Sequence, residues 1–383
     1  MASRLRLLPC QPVTTPLRLN ARYRAFNIRR TFPTTLPQAS GSTPFKVFRE
    51  VPPLRTFRRS LLISNRTVGL VPTMGALHDG HLSLVRMAAA ENTDVIVTIY
   101  VNPTQFGVNE DLSSYPRTWE TDVAQLNTLA QELEKEGKGK ISAVFAPTTP
   151  VVYPTLPPTS EIDGKGSFVT ITPLAEKLEG ASRPVFFRGV ATVCMKLFNI
   201  VQPERVYFGQ KDVQQTVVIR RMVKDFHLPM DVRIGGTRRE EDGLALSSRN
   251  VYLGTRRRAV SVVLSKALRA AEKQWKTGKV SRGDILWPAN DIVNKMMQEQ
   301  DELSPSKRAR FEVDYISLAD PDSLEELEDV DLERGAILSG AIKMLQVEEP
   351  QAGEDCGLGG GTGTVRLIDN IILRPQEYAV DKQ

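Results

Sequence analysis

Histidine is scarce in this chain: 383 residues contain three, and two of them, His78 and His81, fall within one stretch, "VPTMGALHDGHLSLV". Cysteine is equally scarce. Cys10, Cys194 and Cys356 give neither a paired framework nor ligand spacing, which excludes a disulfide scaffold and suits a reducing compartment. No apolar run approaches the roughly 20 residues that a membrane helix needs, and the longest, such as "DVIVTIYV", are of strand length. No membrane span is expected, and no internal repeat is visible. With 41% hydrophobic and 25% charged residues the chain can bury a sizeable core, and two domains are expected.

Acids and lysines are missing from the first 40 residues, which hold seven arginines (Arg4, Arg6, Arg18, Arg22, Arg24, Arg29 and Arg30). The net charge of +5 therefore belongs to this end, and the remainder carries a slight acidic excess, which argues against a nucleic-acid partner. An Arg-rich, Ser/Thr-containing, acid-free segment resembles a mitochondrial transit peptide. Residues 1–44 are expected to be a disordered leader addressing the mitochondrial matrix, with a plain Pro-punctuated tail and a cytoplasmic protein as the alternative.

From about Phe45 short β-rich runs alternate with helical stretches. "TVGLV", "GHLSLVRMAAAEN" and "DVIVTIYV" read as one βαβ unit over residues 67–101, which implies a parallel sheet with right-handed crossovers. "AVFAP" and "RVYFG" read as later strands, with "GVATVCMKLFNIV" and "QTVVIRRMVKDF" the helices around the second. Each strand ends in a polar or Gly/Pro segment, "PTMGALHDGH", "NPTQF" and "GQKDVQQ", and in a doubly wound sheet such ends share one ligand-binding edge. The texture changes after residue 235. "FEVDYISLAD", "GAILSGAIKML" and "GTVRLIDNIIL" predict strands of a smaller α+β domain over residues 236–383, behind a first domain of residues 45–235. The Gly-rich segment 347–363, "EEPQAGEDCGLGGGTGT", reads as a flexible insertion, and "EKEGKGK" as a surface extension, neither carrying chemistry.

His78 and His81 admit three readings. A zinc pair would need a third ligand, and His227 is the remaining histidine, without a cysteine pair or Glu-x-x-His partner nearby. Both side chains could simply cap a helix. An anion site explains the glycines as well: Gly75 and Gly80 let backbone approach a ligand, and a helix starting near Gly80 aims free N–H groups and its positive end at phosphate. Lys211 and Asp212, at a strand end, could be a solvated surface pair or a phosphate contact. The segment "LSSRN" offers the hydroxyls of Ser247 and Ser248 and the fork of Arg249, and is otherwise a polar turn. Together they describe nucleotidyl transfer, in which the α-phosphate of ATP is attacked and catalysis is positioning plus charge neutralisation. Gln105 and Gln215 can hold a small hydroxy-acid without adding charge, or can cap loop and helix.

The motifs "LVPTMGALHDGHLSLV", "VNPTQF", "YPRT", "LEGASRP", "FRGVATV", "KDVQQ", "DGLALSSRN" and "RLIDN", in this order, resemble the pantothenate synthetase (pantoate–β-alanine ligase) family from about Phe45 to Leu373. The resemblance implies a Rossmann-like nucleotidyltransferase domain with a parallel sheet, then a smaller α+β domain covering the site. It implies ATP and pantoate as substrates of an adenylation, attack of β-alanine on the pantoyl-adenylate, magnesium on the ATP phosphates, and a homodimer. Carried over by motif, Met74, Gly75, Ala76, Leu77, His78, Asp79, Gly80 and His81 would hold ATP, with His81 the principal catalytic imidazole and His78 its companion. Lys211, Ser247, Ser248 and Arg249 would bind phosphates and stabilise the transition state. Gly209, Gln210, Asp212, Arg238 and Leu246 would contact the nucleotide, and Gln105, Gln215 and Met74 would hold pantoate. Asp122 is the carboxylate offered to magnesium.

Four positions depart from the family pattern: Gln210 replaces an acid, Val185 and Phe186 replace a glycine and a histidine, and Thr121 stands where an acid is common. Three other functions are therefore set beside the ligase: another adenylyltransferase with His-x-Gly-His, a nucleotide-binding homologue without turnover, and an RNA-binding descendant, which the charge balance disfavours.

Overall fold

The β-branched runs become neighbouring strands of one parallel sheet. The computed structural model describes residues 43–107, 112, 115–155, 161 and 164–375. The leader reading falls almost entirely outside these residues, which begin at Thr43. The strands β1 (Lys46–Phe48), β2 (Val68–Thr73), β3 (Asp94–Ile99), β4 (Lys140–Phe145), β5 (Arg205–Gly209) and β6 (Asp231–Gly235) lie in the order β1-β4-β3-β2-β5-β6, every pair parallel.

Helices α1 (Val51–Ile63), α2 (Asp79–Glu91), α3 (Trp119–Lys135), α4 (Thr149–Val152), α5 (Glu179–Ser182), α6 (Phe186–Val201) and α7 (Val213–Asp225) accompany them. Alternate strand residues feed opposite cores, as the two-residue period requires. Ile96 joins Leu54 of α1, Phe198 of α6 and Val218 of α7 on one face, while Val95 and Val97 join Val85 of α2 and Leu126 of α3 on the other. Burial on both faces explains why β2 and β3 read as continuous apolar runs rather than alternating ones.

The expected βαβ unit is present as β2, α2 and β3. "EKEGKGK" is a tight return between α3 and β4 rather than an extension: the Gly139 N–H donates to the carbonyl of Ala89 at 2.9 Å, against the end of α2. The sheet order places a switch point between β2 and β5, since the chain winds outward through β3 and β4 and then returns to the other side of β2. β2 and β5 pair only at Gly69↔Arg205 and Leu70↔Val206, so their carboxyl halves part and leave an opening.

After β6 come α8 (Gly254–Ser261), α9 (Val263–Lys276) and α10 (Arg282–Glu302), then the antiparallel sheet β7-β8-β9, from β7 (Phe311–Ala319), β8 (Ala336–Met344) and β9 (Val365–Leu373). Val263, Ala267 and Leu268 of α9 pack on Leu338 and Ile342 of β8 and Leu367 of β9.

Residues 347–363 differ from the mobile loop expected. The insertion is docked on the segment 251–257: Leu358 N–H donates to Val251 O at 2.8 Å, Thr255 N–H to Asp355 O at 2.9 Å, and Arg257 to Gly363 O at 2.7 Å. Its glycines answer a steric demand rather than a need for freedom, as Gly357 illustrates. It has φ +80, and a Cβ there would meet the backbone of Tyr252 at 2.5 Å.

Candidate functional site

Segments far apart in sequence meet at the opening between β2 and β5. A cavity of about 210 Å³ is lined there by Met74, His78, Gly80 and His81 from the corner between β2 and α2, and by Gln105 from the turn after β3. Gly209, Lys211, Asp212 and Gln215 enter from the corner between β5 and α7, and Arg238, Leu246, Ser247, Ser248 and Arg249 from the segment after β6. A second cavity of about 740 Å³ adjoins it, and Lys211, Asp212, Gln215 and Ser247 to Arg249 line both.

The two histidines cap α2 and cap it reciprocally. His78 is the N-cap: its Nδ1 accepts the N–H of Gly80 at 3.1 Å, while the N–H of His78 donates to Nδ1 of His81 at 3.4 Å. The ring centroids lie 4.1 Å apart. Because both Nδ1 atoms accept, each neutral imidazole carries its proton on Nε2. Burial, and secondly the neighbouring His78, pushes His81 down to about 3, so it is neutral at physiological pH. Burial and then Lys211 also lower His78. Capping and anion contact are therefore compatible: Nδ1 serves the helix, and Nε2–H is left as a donor beside the helix N-terminus.

The preceding loop is shaped by a carboxylate from α3. Gly75 and Ala76 have φ +85 and +49, a conformation that glycine tolerates and alanine resists. Asp122 offsets that strain. Its Oδ2 accepts the N–H of Ala76 at 3.0 Å, and its Oδ1 accepts the N–H of Leu77 at 2.8 Å and the hydroxyl of Thr118 at 3.1 Å. Asp122, expected from sequence to serve magnesium, is buried with both oxygens engaged in holding this loop. Leu77 turns into the core and Asp79 is exposed. Thr121 is also exposed, on α3.

Across the opening, Lys211 Nζ lies 3.3 Å from Oδ2 of Asp212. Burial opposes the charge of Asp212, but Lys211 and then Arg249 outweigh it and hold its carboxyl below the usual range. Ser247 caps the turn Ser248–Tyr252, accepting the N–H of Arg249 at 3.2 Å. Gln105 is fixed at two points: its Oε1 accepts from Asn102 at 2.9 Å and its carbonyl from Arg183 at 2.9 Å. Its amide nitrogen is then the group left for a ligand. Phe186, which lines both cavities, sits 3.8 Å from the guanidinium carbon of Arg183, while Val185 is buried.

The structure adds residues that the sequence did not single out. Asn370 of β9 donates through Nδ2 to the carbonyls of Gln210 at 2.9 Å and Lys211 at 2.8 Å, and its Oδ1 accepts the amide of Gln210 at 3.2 Å. Gln210 thus turns toward β9. Asp369, 4% exposed, receives both arms of Arg239 at 2.5 and 2.8 Å. Both lie in "RLIDN", a recognisable motif whose roles no spacing reveals. Tyr115, whose phenol burial pushes up, lines both cavities.

A family model described as pantoate-beta-alanine ligase matches residues 46–372. Pantothenate synthetase of Roseiflexus castenholzii is 45% identical over 325 residues, covering 85% of this chain and 99% of that protein. The crystal structure of pantothenate synthetase from Thermus thermophilus is similar with a TM-score of 0.66 and 36% identity, covering 86% of this chain and 100% of the other. That of pantoate-beta-alanine ligase from Francisella tularensis, complexed with beta-gamma ATP and beta-alanine, gives a TM-score of 0.59 and 28% identity over 86% of this chain and 97% of the other.

Proposed function

The chain belongs to the pantoate-beta-alanine ligase family, and from that premise we propose how its crevice joins pantoate to β-alanine at the expense of ATP. The reaction has two steps. The pantoate carboxylate attacks the α-phosphorus of ATP, the bond to the bridging oxygen breaks, and pyrophosphate leaves. The amine of β-alanine then attacks the carbonyl carbon of the mixed anhydride, losing a proton as AMP departs and pantothenate forms.

The observation that carries this reading is the meeting of His81, Lys211, Arg249 and Gln105 around one cavity at the switch point. The Nε2–H groups of His81 and His78, the N-terminus of α2, and the cations Lys211 and Arg249 converge where negative charge grows on the departing phosphates. Ser247 and Ser248 supply hydroxyls beside them. Gly209, Arg238 and Leu246 line the part assigned to the nucleotide. The Gln105 amide nitrogen and Gln215 orient pantoate beside Met74. No protein nucleophile is required. Cys194, in the wall of the smaller cavity, is pushed up to about 12 by burial and stays a thiol.

Magnesium enters with ATP, as the counter-ion of the substrate phosphates. Among the described residues no three His, Cys, Asp or Glu side chains form a metal cage, and Asp122 is engaged with backbone. Residues 45–235 act as the ATP- and pantoate-binding domain and residues 236–383 as its cover. The protein works as a homodimer, a reading that a monomeric mass in light scattering would contradict. The Arg-rich leader is an address for the mitochondrial matrix, to be tested by whether residues 1–44 carry a fluorescent reporter there. No helix among the described residues is long and apolar enough to cross a membrane.

The test is product identity. Mass spectrometry of a reaction with ATP, pantoate and β-alanine should find AMP and pantothenate in equal amounts. An adenylylated end product, or bound ATP without turnover, would contradict the reading.

A further inference from the structure

Arg257 is 1% exposed, yet among the described residues no carboxylate pairs with it. Burying a guanidinium is costly unless its donors are satisfied. Here they meet backbone carbonyls: that of Leu345, just after β8, lies 3.4 Å from Nη1, and the others come from two further segments. Nε donates to Leu253 O at 3.1 Å and Nη2 to Tyr252 O, both in the turn that follows Ser247, Ser248 and Arg249. Nη1 donates to Gly363 O at 2.7 Å and Nη2 to Cys356 O at 3.3 Å, both in the Gly-rich insertion. The side chain is a cross-link between insertion and site loop.

Other contacts press the same two segments together. Gly254 and Gly357 approach so closely that a Cβ on Gly254 would meet Asp355 O at 2.4 Å. Outside them, Arg256 pairs with Glu354 and donates to Glu348 O at 2.9 Å. The insertion then continues into the wall of the larger cavity, where Leu358, Gly359 and Thr362 stand with Ser247, Ser248 and Arg249. The opposite side of the loop is held separately, by Asn250 donating to Ala245 O at 3.1 Å.

We propose that the insertion 347–363 is a clamp that holds the Ser247–Ser248–Arg249 loop in its phosphate-binding shape, with Arg257 as the positioning residue. A loop that must present two hydroxyls and a guanidinium to a triphosphate gains affinity by being ordered before the ligand arrives. This proposal rests on the reading that those three residues meet ATP.

The experiment uses the full chain with two substitutions, Arg257→Lys and Glu354→Ala. Lysine keeps the charge but loses the fork that reaches both segments. Glu354→Ala loosens the insertion from outside and leaves the buried site intact, so it decides the matter if Arg257→Lys does not fold. Amide hydrogen exchange without nucleotide should accelerate over residues 247–253 in both variants and stay unchanged in β2 and α2. The KM for ATP should rise about tenfold in Arg257→Lys, the scale of one or two lost hydrogen bonds, and by less in Glu354→Ala, with the KM for β-alanine unmoved. Unaltered exchange over 247–253 would overturn the clamp, and so would faster exchange with an unchanged KM for ATP. A wild-type chain without pantoate-dependent turnover would overturn the functional reading instead, and the exchange comparison would still decide the clamp.

Discussion

Asp122 accepts the backbone N–H of Leu77 at 2.8 Å across 45 residues of sequence, and so ties α3 to the loop that leads into the histidine pair. The bond is buried, and the same carboxylate also holds Ala76 in its left-handed conformation. Removing it leaves the buried N–H of Leu77 and the half-buried N–H of Ala76 without partners, at a cost of about 1–3 kcal/mol for the buried one. Asp122→Ala should therefore lower the unfolding free energy by about 2–3 kcal/mol and raise the KM for ATP. Urea denaturation with steady-state kinetics would check it; a stable protein defective only in magnesium dependence would restore Asp122 as a metal ligand.

Acid should destabilise the fold through His81. In the unfolded chain this imidazole takes up its proton near the ordinary value of 6.5, whereas in the fold it does so only at about 3. Between those values the unfolded state binds more protons, so this stabilisation is complete above pH 6.5 and is lost as pH falls toward 3. Melting temperatures of wild type and His81→Gln at neutral pH and in acid would test it. The variant should lose less stability on acidification, and equal losses would contradict the assignment.

Much of the crevice is legible in the sequence, and the limits are physical. β2, α2 and β3 declare themselves because their apolar runs, the cap residue His78 and the glycines agree on one structure. β1 and α1 do not, since three residues make no periodic signal and Pro52 and Pro53 in the first turn of α1 read as loop. The roles of Asp122 and Asn370 are illegible because their partners are backbone groups, which leave no mark in side-chain spacing. The insertion misleads for a related reason: its glycine content suggests freedom, whereas Gly357 is where another chain segment passes too close for a Cβ.

Asn370 should matter to the rate although it need not touch substrate. Its two bonds to the carbonyls of Gln210 and Lys211 fix the turn that aims the lysine. Asn370→Ala should reduce kcat about tenfold, from a loss of order 1–1.5 kcal/mol in positioning, and should lower stability by about 1–3 kcal/mol because two carbonyls lose their donor. Asn370→Asp keeps the shape but turns a carboxylate oxygen toward the two carbonyls, so it should lose at least as much; full activity in either would refute the link.

Lys211→Ala should be far more severe. In the reaction proposed above the ammonium faces charge that grows on the leaving phosphates, and loss of such a group costs about 10²–10³ in rate. Single-turnover formation of pantoyl-adenylate should fall by that factor while thermal unfolding stays near wild type. A variant within about threefold of wild type would remove Lys211 from the transition state.

In the reaction proposed above, the crevice forms an acyl-adenylate before the amine arrives. The most direct measurement is exchange of labelled pyrophosphate into ATP, with pantoate present and β-alanine absent. Exchange that requires pantoate and proceeds without β-alanine is the predicted result. ATP binding without exchange, or exchange indifferent to pantoate, would contradict it.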